Sequence, residues 1–272
     1  MFHLLASDRT AVHVCGHRGH SIGAPENTMA AFIATIERGG DSAEIDCVLT
    51  ADGEIVLMHD QTLDRTTSGT GLVSAKNLAE IRELDAGGWF GPSFAGERVP
   101  TLAEAIDFAK AHDFGLVVEV KENQKVDRFV ARLGEILATM RGADQLVMIS
   151  FDHAFLRDLK DALPGIRTEG ITHARHADIV GVAKAARLDS VSIEHQMFTP
   201  ADGEALHRAG VAVRLHLQRP AYYERYAALG LDWLAPVADY IARGVVDTIS
   251  GDDVAFLAAL RASTAATTEA VL

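Results

Sequence analysis

Short apolar segments alternate with helical segments along almost the whole chain of 272 residues. Eight predicted strands are each followed by a helical segment, if the second arm of one hairpin is left out. Strands that alternate with helices pair in parallel through right-handed crossovers, and eight such units close a barrel. The pattern therefore predicts an α/β fold, a (β/α)8 TIM barrel, with a small insertion after the second strand.

The chain length agrees with one barrel domain that covers residues 1–272 and carries the insertion at about residues 62–100. An open, doubly wound sheet is the alternative. It is disfavoured because the chain has no Gly-rich dinucleotide or phosphate-binding loop. The segment Gly16-His17-Arg18-Gly19 places two bulky side chains where such loops need bare backbone.

The predicted barrel strands are Ala11–Cys15, Ala43–Leu49, Gly115–Val120, Leu146–Ser150, Arg167–Thr172, Ser190–Glu194, Val211–Leu217 and Val245–Ser250. The position of the last strand is open, because Gly230–Trp233 competes with Gly244–Asp247 for it. The stretch Pro220–Arg243 is predicted as one long or broken helix, and Thr101 and Glu104 form a capping box at the start of another.

A hairpin is predicted after the second strand, where Asp52-Gly53 is a strong turn signal. If these are the two turn residues, Ile55–Met58 forms the second arm. The cross-strand pairs then place His59 opposite Asp46, so that both side chains can share one site.

The net charge of −13 argues against nucleic acid and anionic membrane surfaces as partners. No apolar run is long enough to span a bilayer, and Met1–Thr10 has no signal-peptide pattern. We therefore expect a cytoplasmic protein without stable membrane association, while the oligomeric state stays open. Cys15 and Cys47 lie in apolar strand segments and are expected to be reduced, buried thiols.

Acidic side chains are expected at the carboxyl ends of two strands, where barrels carry their functional groups. Glu44 and Asp46 alternate along the second strand and point to one face, and Glu119 ends the third. Three such carboxylates repel each other unless a hard divalent cation, Mg²⁺ or Ca²⁺, binds them. Ion pairs with Arg18 and Lys121 are the alternative explanation for each carboxylate taken alone.

The remaining polar groups at this rim suit phosphoryl chemistry on a small-molecule phosphodiester. Arg18 offers a fork for two phosphoryl oxygens, and Lys121 offers a point charge. His17 and His59 can act as the acid and the base, because imidazole titrates near neutral pH.

Eight motifs occur in order: Gly16-His17-Arg18-Gly19, Pro25-Glu26-Asn27-Thr28, Glu44-Ile45-Asp46, Thr50-Ala51-Asp52-Gly53, His59-Asp60, Leu63-Asp64-Arg65-Thr66-Thr67, Val99-Pro100-Thr101-Leu102 and Glu119-Val120-Lys121. Together they resemble the glycerophosphodiester phosphodiesterase family, closely over residues 15–121 and more loosely through Ile149-Ser150-Phe151. The resemblance implies a (β/α)8 barrel with an insertion after strand two, here about Thr62 to Pro100. It also implies cation ligands, a histidine pair and phosphate contacts, which match Glu44, Asp46 and Glu119, His17 and His59, and Arg18 and Lys121, respectively.

The C-terminal half departs from the family pattern. An apolar ring that packs against the alcohol headgroup is replaced by His216, and Glu194 adds a polar group at another strand end. Together with Trp89 of the insertion, these residues form a candidate headgroup pocket. The resemblance implies hydrolysis of a glycerophosphodiester to an alcohol and glycerol 3-phosphate. A sugar-phosphate diester, such as an agrocinopine-type opine, is therefore an alternative substrate.

A non-catalytic barrel that binds phosphorylated ligands is an alternative function. For the enzyme, two mechanisms stay open: direct attack by water, and attack by a hydroxyl of the substrate that gives a cyclic phosphate.

Overall fold

The structure, a computed structural model, describes residues 12–122, 124–141 and 143–269. Ala11, the predicted first residue of the first strand, lies outside the described residues. The segment Met1–Thr10, on which the expectation about a signal peptide depends, lies outside them as well.

Eight parallel strands form a closed barrel in the described part of the chain, as the alternation of strands and helices predicts. The strands are β1 (His13–His17), β2 (Ser42–Leu49), β4 (Gly115–Val120), β5 (Leu146–Ser150), β6 (Thr168–Thr172), β7 (Ser190–Glu194), β8 (Ala212–His216) and β9 (Thr248–Gly251), while β3 (Ile55–Leu57) pairs antiparallel with β2. Their order around the barrel is β1, β2, β4, β5, β6, β7, β8 and β9, and β1 pairs with both β2 and β9.

Helices surround the barrel, and most of them bury apolar side chains against its outer surface, whereas the short helix Leu78–Arg82 packs within the insertion. They are α1 (Met29–Glu37), α2 (Leu78–Arg82), α3 (Leu102–His112), α4 (Val126–Met140), α5 (His153–Ala162), α6 (Ile179–Ala186), α7 (Pro200–Arg208), α8 (Pro220–Ala227), α9 (Ala235–Ala242) and α10 (Val254–Glu269). The predicted capping box is present at the start of α3. Among the described helices, none combines the length and the apolar character that a membrane crossing requires.

The ambiguous segment before the last strand resolves into two short helices. The segment Gly230–Trp233 connects α8 to α9, and the last strand, β9, follows Gly244–Asp247 instead. The last strand therefore lies at the second of the two candidate places, but it begins at Thr248, three residues after the predicted start at Val245.

The hairpin register predicted from the sequence is wrong by one residue. Cys47 pairs with Leu57, and the amide of Met58 donates to the carbonyl oxygen of Asp46, so His59 does not lie opposite Asp46. The loop has three residues, because Gly53 adopts a left-handed conformation with φ of 89° and the amide of Thr50 donates to the carbonyl oxygen of Glu54. Three-residue hairpin loops need such a residue at their last position, and glycine adopts it without strain.

The predicted insertion, residues 62–100, packs on the outer face of this hairpin. It contains α2 and two short 3₁₀ turns, Val73–Ala75 and Pro92–Phe94. Its own apolar cluster joins the buried side chains of Val48 and Val56 to Leu63, Val73, Ile81, Ala86 and Val99. The insertion therefore stands beside the carboxyl end of β2 and holds the chain that follows β3.

The interior of the barrel is partly polar. Cys15, Val117, Val147 and Ile149 form a small apolar cluster inside it, and both cysteines of the chain are buried free thiols, as expected. Above this layer the polar and charged side chains gather at the carboxyl ends of the strands. The fold thus opens one functional face at the rim of the barrel.

Candidate active site

A cavity of about 280 Å³ opens at the carboxyl ends of the barrel strands. Eight of the residues singled out from the sequence line it: His17, Arg18, Glu44, His59, Glu119, Lys121, Glu194 and His216. Asp46 is almost fully buried beside Glu44 and Glu119. Trp89 is half-exposed and is not among the described residues that line the cavity; its indole nitrogen donates to the carbonyl oxygen of Ala86 within the insertion.

Glu44, Asp46 and Glu119 bring one carboxylate oxygen each to within 4.8 Å of one another. Among the described residues, the Oε1 atom of Glu44 is buried without a hydrogen-bond partner. The Oδ1 atom of Asp46 also lacks a hydrogen bond, although the Nζ atom of Lys121 lies 3.3 Å from it as an ion-pair partner. Buried carboxylate oxygens without donors are costly unless something positive binds them. Three hard oxygen ligands are also the donor set that Mg²⁺ and Ca²⁺ prefer, so the residues present fit a divalent cation.

The pKa of Glu44 reflects the same crowding. Burial raises it, and the negative charge of Asp46 raises it further, to about 7, although the neighbouring His17 opposes the shift. A divalent cation at this position would favour the ionised form of the carboxylate.

The predicted ion pairs are present beside this cluster. The Nζ atom of Lys121 lies 2.7 Å from Glu119 and 3.3 Å from Asp46, and the Nε atom of Arg18 lies 3.2 Å from Asp46. The side chain of Asn27 also donates to Asp46 over 2.9 Å. The same carboxylates therefore form ion pairs with Lys121 and Arg18 and also have the arrangement of ligands for a divalent cation.

A tight turn after β1 aims Arg18 at this cluster. Arg18 adopts a left-handed backbone conformation with φ of 57°, and its amide donates to Glu44 over 3.1 Å. Gly19 follows with φ of 83°, and a Cβ atom there would come within 2.6 Å of Ala31. Only glycine fits at this position, which explains the second glycine of the Gly-His-Arg-Gly motif.

Each of the two histidines is held by a carboxylate on its Nδ1 atom. His17 lies 2.6 Å from Asp252, which follows the last strand, and Arg219 holds the other oxygen of Asp252. Burial opposes the charged form of His17, but the hydrogen bond to Asp252 and the charge of Glu44 outweigh it and raise the pKa of His17. A carboxylate on Nδ1 fixes the ring and leaves Nε2 available for proton transfer.

His59 is held in the same way by its neighbour, at 2.7 Å from Asp60. Arg65 donates two hydrogen bonds to Asp60 and two to Glu26, over 2.7–3.0 Å. Glu26 in turn accepts a hydrogen bond of 2.9 Å from Arg18. A continuous chain of charged hydrogen bonds therefore joins the two predicted functional residues His59 and Arg18 through Arg65.

The opposite wall of the cavity also contains residues for which the sequence predicts no functional role. These are Phe151, Thr172, His173, Ser192 and Arg214. Arg214 is buried and its guanidinium forms a hydrogen bond of 2.7 Å with Glu169, which is also buried. The sequence does contain a signal for Arg214 and Glu169. Both are charged residues within predicted barrel strands, which are otherwise apolar. Asp252 carried a weaker signal, as the acid directly after the last strand.

The sequence matches the model of the glycerophosphoryl diester phosphodiesterase family over residues 17–235. It is 41% identical over 155 residues to a glycerophosphodiester phosphodiesterase of Caldanaerobacter subterraneus, a match that covers 57% of this chain. The same match spans 64% of the length of that relative, which is less than two thirds.

Two solved structures resemble the fold closely. A glycerophosphodiester phosphodiesterase of Agrobacterium tumefaciens strain C58 has a TM-score of 0.75 and 29% identity, with 91% of this chain and 99% of that chain covered. A phosphodiesterase of Oleispira antarctica in complex with the product sn-glycerol-3-phosphate has a TM-score of 0.77 and 27% identity. That similarity covers 92% of this chain and 96% of the other.

Proposed function

Because this chain belongs to the glycerophosphoryl diester phosphodiesterase family, we propose that it hydrolyses glycerophosphodiesters to an alcohol and glycerol 3-phosphate. The observation that carries the proposal is the convergence of three carboxylates and two carboxylate-held histidines on one cavity. The solved relative that binds sn-glycerol-3-phosphate as its product supports the same reaction.

Glu44, Asp46 and Glu119 would hold one divalent cation, Mg²⁺ or Ca²⁺. When bound, such an ion supplies Lewis-acid stabilisation of charge on the phosphoryl oxygens. The chain itself adds Arg18 and Lys121, which both line the cavity and bind the phosphate of the substrate. Arg18 is placed for this by its hydrogen bond to Glu26, and Lys121 by its ion pair with Glu119.

We assign the two histidines complementary roles. His59 takes the proton from the attacking hydroxyl as an oxygen–phosphorus bond forms, and His17 gives a proton to the alcohol oxygen as its bond to phosphorus breaks. The raised pKa of His17 supports its role as the acid, because the protonated imidazole persists closer to neutral pH. Asp252 and Asp60 keep the rings oriented and leave each Nε2 atom for the transfer.

The attacking hydroxyl belongs either to water or to the glycerol part of the substrate. The second route gives a cyclic phosphate. Hydrolysis in ¹⁸O-labelled water separates the two, because only direct attack incorporates one label into glycerol 3-phosphate without a cyclic product.

The reaction is tested by hydrolysis of glycerophosphocholine with Mg²⁺, with Ca²⁺ and with a chelator. We expect release of glycerol 3-phosphate that requires a cation. No cation-dependent hydrolysis under any of these conditions would favour the alternative function, a barrel that binds phosphorylated ligands without turnover.

A further inference from the structure

The cavity has two chemically different walls, and their positions follow from the strand order. The predicted cation ligands lie on β2 and β4, and the phosphate-binding residues directly follow β1 and β4. The wall built by β5, β6, β7 and β8 faces them across the barrel. A phosphodiester carries two organic groups on its phosphorus atom. A phosphate that is bound at the first wall therefore directs one of these groups toward the second wall. His216 connects the two sides, because its ring lies 5.2 Å from that of His17.

The second wall presents an aromatic platform. Phe151 follows β5, is 50% exposed, and stacks on the ring of His173 with the centroids 4.9 Å apart. Large apolar side chains are usually buried, and an exposed one in a cavity often marks a binding site. The face of the ring offers contact area to the C–H groups of a ligand. The Nδ1 atom of His173 lies 3.0 Å from Glu194, so the platform and the neighbouring carboxylate form one unit.

Hydrogen-bond donors and hydrogen-bond acceptors surround this platform. Glu194 offers acceptor oxygens, and Ser192 offers a hydroxyl that both donates and accepts. Arg214 offers a guanidinium that lines the cavity and is fixed in place by the buried Glu169. His216 stays uncharged near neutral pH, because burial and then the charges of His17 and Arg214 lower its pKa to about 3. A neutral imidazole again combines one donor and one acceptor.

We propose that this second wall, formed by Phe151, His173, Ser192, Glu194, Arg214 and His216, binds a polyhydroxy alcohol, the leaving group of the diester. The proposal rests on the function proposed above, in which His17 gives a proton to the leaving alcohol. A ring polyol presents C–H groups to the aromatic face and vicinal hydroxyls to the carboxylate and the guanidinium. Each hydroxyl both donates and accepts, which matches a wall of mixed polarity.

Two other headgroup classes match the wall less well. A quaternary ammonium group can pack on Phe151 near Glu194, but it offers no hydrogen bonds and faces the positive charge of Arg214. An acyl chain likewise offers no hydrogen bonds to the polar groups of the wall. Either would remove water from Arg214 and Ser192 without replacing its hydrogen bonds, which is costly for buried polar groups.

The test compares kcat/KM for glycerophosphoinositol and glycerophosphocholine, two diesters that share glycerol 3-phosphate and differ only in the leaving alcohol. We expect the inositol diester to be preferred by about tenfold or more, since a site built for hydroxyl groups discriminates strongly against ligands that lack them. Glu194→Gln should lower this ratio at least about fivefold. The matched control is Glu135→Gln on α4, an exposed carboxylate outside the cavity lining, which should keep the ratio of the wild type.

The possible failures are distinguishable. Equal hydrolysis of both diesters overturns the polyol site and leaves the proposed function standing. Absence of any cation-dependent hydrolysis overturns the proposed function. In that case the wild type does not consume the diesters, and calorimetry of both diesters with the wild type decides whether the wall binds a polyol: tighter binding of the inositol diester supports it, and equal or absent binding overturns it.

Discussion

The Nδ1 atom of His17 lies 2.6 Å from the Oδ1 atom of Asp252, a residue 235 positions further along the chain. The contact joins the first barrel strand to the end of the last one, which are neighbours because the barrel closes. His59 reaches the same arrangement with Asp60, the residue next to it. Two histidines at one cavity thus obtain the same support from entirely different parts of the sequence.

Asp252→Asn should lower kcat about 10- to 100-fold, by loss of the ring orientation and of the charge that stabilises the imidazolium. The hydrogen bond to Asp252 raises the pKa of His17 against the effect of burial, so its loss lowers that pKa. If His17 is the acid, the alkaline limb of the pH–rate profile moves to lower pH. Asp253→Asn is the control, because asparagine can replace Asp253 in its hydrogen bond to the amide of Phe256. An unmoved limb in Asp252→Asn would refute the positioning role.

His17→Ala and His59→Ala should each lower kcat about 10²- to 10⁴-fold, the usual contribution of a general acid or base. Steady-state kinetics measures the loss, and circular dichroism checks that the fold is kept. His112→Ala, an exposed histidine on α3, serves as the control and should keep the wild-type rate. A rate near that of the wild type in either cavity variant removes that histidine from the mechanism.

Arg65→Lys should lower kcat/KM at least about tenfold although the charge is kept. A lysine cannot make the four hydrogen bonds to Asp60 and Glu26 at once, because its ammonium lacks the planar fork of arginine. Both His59 and Arg18 then lose their alignment. Arg128→Lys tests the same exchange at an exposed site, where Arg128 donates to the carbonyl oxygen of Ala51, and should have little effect. Equal kinetics in the two variants would contradict the role of Arg65.

The N-terminal half of the site was predictable from the sequence because its residues follow local rules. Glu44 and Asp46 share a face through strand alternation, and Glu119 pairs directly with Asp46 on the neighbouring strand. The second wall was less predictable, since Arg214 on β8 and Glu169 on β6 lie 45 positions apart and meet across the strand between them. The hairpin register failed for a local reason: the left-handed conformation of Gly53 adds a third residue to a loop that reads as a two-residue turn.

His207 should make the stability of the fold depend on pH. It lies near the amino ends of the strands, at the end of the barrel opposite the cavity. Its hydrogen bond of 2.7 Å to Asp247 raises the pKa of His207, although burial opposes this. The stabilisation is therefore fully present below the unfolded pKa of about 6.5 and is lost as the pH rises through the higher folded value. Urea unfolding of the wild type and His207→Gln between pH 6 and pH 9 measures it. We expect the difference in the free energy of unfolding to shrink with rising pH, and a constant difference would speak against this linkage.

The carboxylates of β2 and β4 are proposed to bind one divalent cation beside the two histidines. Anomalous diffraction from crystals grown with Mn²⁺ shows whether an ion occupies this place. We expect one strong anomalous peak within about 2.0–2.6 Å of an oxygen of each of Glu44, Asp46 and Glu119, the range of hard divalent cations. No peak among these three side chains at saturating Mn²⁺, or a peak at another place in the barrel, would contradict it.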